Sequence, residues 1–262
     1  MNAPAVALTI AGSDSGGGAG LQTDLKTFAA FGVFGTSAVT AVTVQNTVGV
    51  RAIHPVPADV VDGQIAAVLD DLPVAAVKTG MLADLSILDV VASRAPALPN
   101  LVVDPVLVAS SGDSLFPPEL TAAYLKLFAH ATVVTPNLRE ASVLVGRRLS
   151  TVDGMTAAAE ELAATGAGCV VVKGGHLPGD ACVDVVWHAG SVTTLSEKRI
   201  DTRNNHGTGC TFAAAVAARL ASGDALPDAL AAAKRYVTRA LAGAATWRLG
   251  TGHGPLSWEV PQ

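Results

Sequence analysis

Short, uninterrupted apolar runs alternate along this chain with segments that have helical periodicity. The apolar runs occupy residues 6–10, 38–44, 75–77, 101–103, 131–135 and 169–172. A strand that is covered on both faces has no side to present to water, so its sequence is continuously apolar rather than alternating. These runs therefore predict buried strands of a mostly parallel sheet.

The segments between and after the runs place apolar residues on one stripe at helical spacing. They cover residues 21–31, 60–72, 85–95, 118–128, 138–145, 156–164, 208–221 and 225–244. Alternating strands and helices with short links favour right-handed crossovers and helices on both faces of the sheet. A hairpin-like pair, residues 183–187 and 192–195, predicts one antiparallel edge. Without a break in composition, we expect residues 1–262 to form one α/β domain.

Composition excludes several classes of protein. Half of the residues are apolar and 15% are charged, which suits a large core and not a disordered chain. The net charge of −5, with scattered Lys and Arg, argues against binding to nucleic acid or to an anionic membrane. The three cysteines, Cys169, Cys182 and Cys210, form no C-x-x-C pair. We expect a soluble, reduced, cytoplasmic protein.

The most informative local segment is Asn-His-Gly-Thr-Gly-Cys-Thr at residues 205–211, which leads into an Ala-rich helix. Glycines allow close approach of an anion, and the free N–H groups of a first helical turn point toward it. At that position the helix dipole should lower the pKa of Cys210. The alternative is a Gly-rich turn in which Thr208 caps the helix and Cys210 is a small buried residue.

Polar residues follow three other predicted strands. Asn137 and Glu140 are three apart and could bind Mg²⁺ together with water and phosphate, or they could form a helix capping arrangement. Lys173 could meet phosphate oxygens, and Asp104 adds a carboxylate. The carboxyl ends of parallel strands meet at one edge of a sheet. Together these residues supply what phosphoryl transfer needs.

Two motifs then identify a resemblance. Residues 11–27, Ala-Gly-Ser-Asp-Ser-Gly-Gly-Gly-Ala-Gly-Leu-Gln-Thr-Asp-Leu-Lys-Thr, and His-Gly-Thr-Gly-Cys-Thr at 206–211 are similar to those of the hydroxymethylpyrimidine/phosphomethylpyrimidine kinases of the ribokinase-like superfamily. Shorter matches in family order lie at 45–47, 79–82, 104–106, 111–113, 135–137, 173–176 and 252–255.

The resemblance implies a three-layer α/β/α fold with a mostly parallel central sheet and no large lid domain. It also implies a kinase of thiamin biosynthesis that uses ATP and Mg²⁺. The enzyme would phosphorylate the hydroxymethyl group of 4-amino-5-hydroxymethyl-2-methylpyrimidine and then convert the monophosphate to the diphosphate. A homodimer is the expected assembly.

The family's site residues map onto this sequence position by position. The residues that match the pyrimidine site are Gly12, Asp24, Gln45 and Met81. Those that match the Mg²⁺ and phosphate positions are Asp104, Asn137, Glu140 and Lys173, with Glu140 and Asp104 toward the metal. Gly207, Thr208 and Gly209 match the anion hole, and Cys210 matches the position of the catalytic base. Lys234 matches a lysine near the nucleotide.

Chemistry supports part of this mapping. A Gln amide offers one donor and one acceptor to an aminopyrimidine edge, and Met packs well on a flat ring. The structural alternatives are a helix-surface charge for Asp24, a strand-end polar residue for Gln45 and a solvated helix face for Lys234.

Three departures from the family pattern stand out. Thr43 occupies a position that is usually apolar beside the pyrimidine. Ser110 replaces a common lysine; if that lysine assists the charged second substrate, the second phosphorylation is the step affected. Ser15-Gly16 replaces Pro-Ser in the first loop and should make it more flexible.

Other functions remain open at this point. A pyridoxal kinase of the Cys-bearing kind resembles this family closely, and there the thiol could add to the aldehyde of the substrate. A non-catalytic nucleotide-binding regulator could use the same scaffold. A fusion with a thiamin-phosphate synthase is not expected, because the chain has no room for a second barrel domain of roughly 200 residues.

Overall fold

A computed structural model describes residues 3–107 and 119–260 of the chain. Its strands form one nine-stranded sheet with the order β3-β2-β1-β4-β5-β6-β7-β8-β9. The strands are β1 (Val6–Ser13), β2 (Phe34–Gln45), β3 (Val50–Pro55), β4 (Val74–Thr79), β5 (Val102–Val103), β6 (Val133–Val134), β7 (Cys169–Val172), β8 (Ala181–His188) and β9 (Ser191–Lys198).

Six neighbouring strands, β2, β1, β4, β5, β6 and β7, are parallel, as the continuous apolar runs predicted. The hairpin β8–β9 pairs antiparallel with β7. This confirms the predicted antiparallel edge. A second antiparallel edge, at which β3 pairs with β2 at the other end of the sheet, was not predicted. Most of β3 is exposed, so it carries no apolar run that could have identified it.

Within the described residues, eight α-helices pack on the sheet. They are α1 (Gly20–Ala30), α2 (Ala58–Asp71), α3 (Leu85–Arg94), α4 (Glu119–Phe128), α5 (Leu138–Leu144), α6 (Val152–Ala163), α7 (Thr208–Ala221) and α8 (Leu226–Ala244). Each was predicted from periodicity. The largest difference is at α6, which begins four residues earlier than expected because Thr151 caps it by accepting a hydrogen bond from the backbone of Gly154.

Two apolar clusters cover the two faces of the sheet, so the fold has three layers. Leu8 belongs to the cluster that includes α2 to α6, whereas its neighbour Ala7 belongs to the cluster that includes α1, α7 and α8. Alternate residues of a strand point to opposite faces, which explains the division. The six consecutive residues Ala213–Ala218 are fully buried, since their small side chains allow α7 to lie close to the strands.

This arrangement is the predicted three-layer α/β/α fold. Throughout the described ranges all strands belong to the one sheet, and none forms a separate lid domain. In the same ranges, no helix combines the length and the apolar character that crossing a bilayer would require. The parallel strands β1, β4, β5, β6 and β7 end at one edge of the sheet, where the predicted site residues follow them.

Candidate active site

A cavity of about 770 Å³ opens at this carboxyl edge. It brings together every predicted site residue except Asp24. The predicted residues that line it are Gly12, Gln45, Met81, Asp104, Asn137, Glu140, Lys173, Gly207, Thr208, Gly209, Cys210 and Lys234. Motifs that lie up to about 200 residues apart in the sequence therefore share one cavity.

The N-terminus of α7 forms one wall of the cavity. Gly207 is the N-cap residue, in a left-handed conformation with φ +84°. A β-carbon there would lie 1.9 Å from the carbonyl oxygen of Gly18, so the position requires glycine. The alternative in which Thr208 caps the helix is wrong, because Thr208 is the first helical residue and its hydroxyl donates to the Asn205 carbonyl. The first-turn amides have no intrahelical acceptor and can bind an anion.

Cys210 lies in this first turn and is partly exposed to the cavity. The expected lowering of its pKa by the helix dipole is wrong. Burial raises the pKa of Cys210 to about 11, although the ammonium group of Lys78 acts in the opposite direction. Removing the thiolate from water costs more than the attraction of Lys78 returns, so the resting group is a thiol.

Lys173 and Asp104 form an ion pair on another wall. The Lys173 Nζ lies 2.8 Å from Asp104 Oδ1, and the hydroxyl of Thr135 donates to the same oxygen over 3.0 Å. Glu140 is buried beside them. Burial raises the pKa of Glu140 to about 8, Lys173 opposes this effect, and the negative charge of Asp104 adds to it.

Asn137 and Glu140 form the capping box that was the structural alternative for this motif. Asn137 Oδ1 accepts from the backbone of Arg139 and Glu140, over 2.9 and 3.0 Å, while Glu140 Oε2 accepts from the Asn137 backbone over 2.8 Å. Both residues nevertheless line the cavity. The amide oxygen of Asn137 is therefore occupied, and what Asn137 can offer a phosphate is its N–H₂ group.

Asp104 and Glu140 offer Mg²⁺ two side-chain carboxyl groups rather than a complete set of protein ligands. Within the described ranges, no three His, Cys, Asp or Glu side chains form a group that could hold a metal ion. Glu140 and Asp104 supply two hard oxygen donors, and because the pKa of Glu140 is raised to about 8, Glu140 must lose a proton to bind the ion as a carboxylate. Mg²⁺ commonly binds to one or two carboxylates and completes its shell with water and substrate phosphates. The residues present suit such a site.

Gly12, Met81 and Gln45 form the part of the cavity that matches the pyrimidine site. A β-carbon at Gly12 would lie 2.5 Å from the terminal carbon of Met81, so the absence of a side chain at Gly12 leaves room for the thioether. Thr43, which departs from the family pattern, donates to the Ser13 carbonyl and lies 3.1 Å from the Gln45 amide. Ser15 binds both backbone groups of Gln45 and so ties the first loop to β2.

Asp24 is neither on the helix surface nor on the cavity wall. It is fully buried, with both carboxylate oxygens bound to Lys78 Nζ at 2.9 and 2.8 Å and one of them also to Thr9. Lys78 does line the cavity. Sequence reasoning missed Lys78, although a lysine directly after the apolar run of β4 was a signal for a buried, paired cation. Asp24 can influence the cavity only indirectly, by holding Lys78 and through its negative charge, which raises the pKa of Cys210.

Lys234 is also buried, so the alternative of a solvated helix face is wrong. Its Nζ lies 2.7 Å from Asp184 Oδ2, and Asp184 Oδ1 accepts from the backbone of Gly174 over 2.9 Å. Asp184 was missed because it lies within the β8 hairpin, far from any motif. The pair connects α8 to the loop that follows Lys173.

Asp14 and His206 form a further pair that sequence reasoning did not single out. Asp14 lies in the motif at residues 11–27, and His206 lies in the motif at 206–211. The Nε2 atom of His206 is 2.9 Å from Asp14 Oδ2. Ser110 and the match at 111–113 lie outside the described residues, so the departure at Ser110 has no structural account here.

Comparison with known proteins agrees with this geometry. The family described as Phosphomethylpyrimidine kinase matches residues 14–257. A hydroxymethylpyrimidine/phosphomethylpyrimidine kinase from Rhizobium meliloti is 48% identical over 258 residues, which cover 96% of each chain.

Two solved structures are also similar. An ADP complex of Bacillus subtilis pyridoxal kinase has a TM-score of 0.91 and 40% identity, with 97% of each chain covered. A phosphomethylpyrimidine kinase from Clostridium difficile has a TM-score of 0.79 and 38% identity, covering 90% of this chain and 99% of that one. With the shared cavity and its motifs, these matches establish that the chain belongs to the phosphomethylpyrimidine kinase family.

Proposed function

We propose that the chain is a kinase of thiamin biosynthesis that uses ATP and Mg²⁺. It transfers a phosphoryl group to the hydroxymethyl group of 4-amino-5-hydroxymethyl-2-methylpyrimidine and then phosphorylates that monophosphate to the diphosphate. One observation carries the proposal: the first-turn amides of α7, Cys210, Lys173, Asp104 and Glu140 line a single cavity. The names of relatives such as the Rhizobium meliloti hydroxymethylpyrimidine/phosphomethylpyrimidine kinase support the choice of substrate.

The cavity can stabilise a migrating phosphoryl group by charge and position. The transition state of phosphoryl transfer is loose and spreads negative charge over the equatorial oxygens. The amides of Gly209 and Cys210 and the ammonium group of Lys173 are placed to compensate that charge. Glu140 and Asp104 would hold Mg²⁺ through oxygen and water, and the bound ion would neutralise charge on the phosphates of ATP.

Cys210 is the group that we assign to the substrate proton. In a loose transition state the hydroxyl proton leaves late. Only the thiolate can accept that proton, so the Cys210 thiol must first release its own proton to water. Lys78 lowers the pKa of Cys210 and thereby favours the thiolate. Asp24 holds Lys78 in place, which gives Asp24 a positioning role in the site.

The pyrimidine and the nucleotide have distinct parts of the cavity in this proposal. Gln45 presents a donor and an acceptor to the aminopyrimidine edge, while Met81 packs over the ring beside Gly12. Asn137, Lys173, Thr208 and Lys234 contact the phosphates. The apolar side chains of Val237 and Leu241 on α8 also line the cavity and suit the adenine ring. The ADP bound in the Bacillus subtilis structure supports the use of an adenine nucleotide.

A pyridoxal kinase is the second candidate, because the similar Bacillus subtilis structure is a pyridoxal kinase. Addition of Cys210 to an aldehyde needs the thiolate, as does acceptance of the substrate hydroxyl proton, so the pKa of about 11 does not separate the two candidates. The test measures ADP release with the pyrimidine alcohol, its monophosphate and pyridoxal side by side. We expect the alcohol to be the best substrate. Preference for pyridoxal would reverse the assignment, and no ADP release with any of the three would favour a non-catalytic nucleotide-binding regulator.

We further propose a single-domain protein that forms a homodimer in the cytoplasm, where ATP is available. Near the edge of the sheet, β2 exposes Val42 and Val44 on one face, two apolar side chains that a second copy would cover. Light scattering at micromolar concentration tests the dimer. A monomer at every concentration would contradict it.

A further inference from the structure

Two hydrogen bonds with Ser15 fix the backbone of Gln45. The orientation of its side-chain amide depends on other residues. Ser15 Oγ donates to the Gln45 carbonyl over 2.6 Å and accepts from the Gln45 backbone N–H over 2.9 Å. The amide itself lies between two side chains. The structure places its Oε1 3.1 Å from Thr43 Oγ1 and its Nε2 3.3 Å from His206 Nε2.

The two ends of an amide have nearly the same shape, so their hydrogen-bond partners decide which is oxygen and which is nitrogen. With the oxygen toward Thr43, the amide N–H₂ would face His206 Nε2. That arrangement requires a lone pair on Nε2. Whether His206 Nε2 carries a proton or a lone pair therefore determines the orientation of the Gln45 side-chain amide.

Asp14 requires a proton on His206 Nε2. The Asp14 carboxylate accepts three backbone N–H groups, from Gly16, Gly18 and Ala19, over 2.7, 3.1 and 2.9 Å. Burial raises the pKa of Asp14, but the hydrogen bonds from His206 and the backbone outweigh it and leave the pKa below 3.8. An ionised oxygen 2.9 Å from Nε2 would repel a lone pair there.

Packing against Gly18 holds the ring of His206 in this position. A β-carbon at Gly18 would lie 2.5 Å from His206 Cδ2, so the ring occupies the space that glycine leaves. The Nε2–H therefore points toward Asp14, and the nearby end of the Gln45 amide must be the oxygen. The N–H₂ group then faces Thr43.

Thr43 is suited to accept from that group. A hydroxyl has one proton to donate, and the Thr43 proton goes to the Ser13 carbonyl over 2.9 Å. Its lone pairs remain free, so Gln45 Nε2–H can donate to Thr43 Oγ1. The Thr43 hydroxyl and the Gln45 N–H₂ group then both have a hydrogen-bond partner.

We propose that Thr43 is a positioning residue that, together with His206, fixes the Gln45 amide with its N–H₂ end toward Thr43 and its oxygen toward His206. The remaining amide hydrogen and oxygen lone pair then present one fixed donor–acceptor order to the cavity. Thr43 thereby determines which heteroaromatic edge is accepted. This inference rests on the proposed function, because it assigns Gln45 to the ring edge of the substrate.

The experiment compares two pyrimidine alcohols that differ only at ring position 4. The 4-amino compound has a donor beside an acceptor nitrogen, whereas the 4-oxo analogue has an acceptor beside an N–H donor. A fixed amide matches only one of these edges, and a mismatch opposes like groups. For the wild type we expect Kd and kcat/KM to favour the 4-amino compound at least about tenfold.

Thr43→Val removes the hydroxyl and keeps the shape. We expect the 4-amino to 4-oxo ratio to fall about fivefold, mainly through improved use of the 4-oxo analogue, because one neutral hydrogen bond no longer holds the amide. Thr43→Ser keeps the hydroxyl and should retain a ratio within about twofold of the wild type. A purely structural role would weaken both compounds equally and leave the ratio unchanged.

An unchanged ratio in Thr43→Val, or an equal loss in Thr43→Ser, would overturn the proposal. If Thr43→Val does not fold, Thr43→Ala serves the same comparison. A wild type that phosphorylates the 4-amino compound but does not discriminate would overturn the role of Thr43 and leave the proposed function intact. A wild type that binds neither compound would instead refute the proposed function.

Discussion

The ammonium group of Lys78 lies 2.9 and 2.8 Å from the two carboxylate oxygens of Asp24, and neither side chain is exposed to solvent. Lys78 also lines the cavity, and it lies near enough to Cys210 to lower the pKa of that thiol. A buried ion pair is costly to form, and removing one partner leaves an uncompensated charge. We therefore expect this pair to matter for both stability and chemistry.

The first prediction concerns the stability of this pair. Asp24→Asn and Lys78→Met should each lower the free energy of unfolding by about 3–5 kcal/mol, because each leaves a buried charge unpaired. The double variant should lose less than the sum of the two, which urea unfolding can measure as a double-mutant cycle. Strictly additive losses would mean that the two groups do not interact energetically.

The second prediction concerns Cys210. Cys210→Ala should fold and bind ATP normally but lose most turnover. Because the pKa of Cys210 is raised to about 11, the proton-accepting thiolate is scarce at pH 7 and becomes about tenfold more abundant per pH unit below that pKa. Wild-type turnover should therefore rise from pH 7 to pH 9. A flat profile, or full activity in the alanine variant, would exclude the thiol as the base.

The third prediction separates two roles of Glu140. Glu140→Ala should weaken use of the Mg²⁺–nucleotide more than binding of the pyrimidine, since a carboxylate that faces the phosphates is lost. It should also cost about 1 kcal/mol of stability by removing the capping box. Binding measurements for both ligands, made alongside unfolding curves, test this.

Thr151→Ala is the matched control for Glu140, because it removes the N-cap of α6 at a residue that does not line the cavity. We expect a similar loss of stability and unchanged Mg²⁺–nucleotide use. Equal weakening of both ligands in Glu140→Ala would contradict the metal role.

The fourth prediction compares the two ends of α7. Gly207 and Gly223 both have positive φ, +84° and +90°, but only Gly207 lies against another backbone segment. Gly223→Ala should cost about 1–2 kcal/mol, from the left-handed conformation alone. Gly207→Ala should cost clearly more and impair phosphate binding, because a β-carbon would meet the Gly18 carbonyl. Equal losses of stability in the two variants, measured by thermal unfolding, would mean that the loop around Gly18 can move aside without an energetic cost.

Local patterns in the sequence predicted most of the fold and brought the site to one edge of it. Continuous apolar runs identified the buried strands, and helical spacing identified all eight helices. These signals are local, because strand and helix periodicities are properties of neighbouring residues. The exposed strand β3 escaped detection since an exposed strand needs no apolar run.

The order of residues along the chain was enough to predict the family, the parallel sheet and the edge at which Asp104, Asn137, Lys173 and Cys210 meet. The protonation states and the partners of these and neighbouring residues depend on how the chain packs. Asp14 and His206 are 192 residues apart, and Lys78 and Lys234 find their carboxylates 54 and 50 residues away. Burial, which raises the pKa of Cys210 against the helix dipole, depends on everything that packs around the thiol. Such pairings and desolvation arise from the packed chain and leave no local pattern from which they could be predicted.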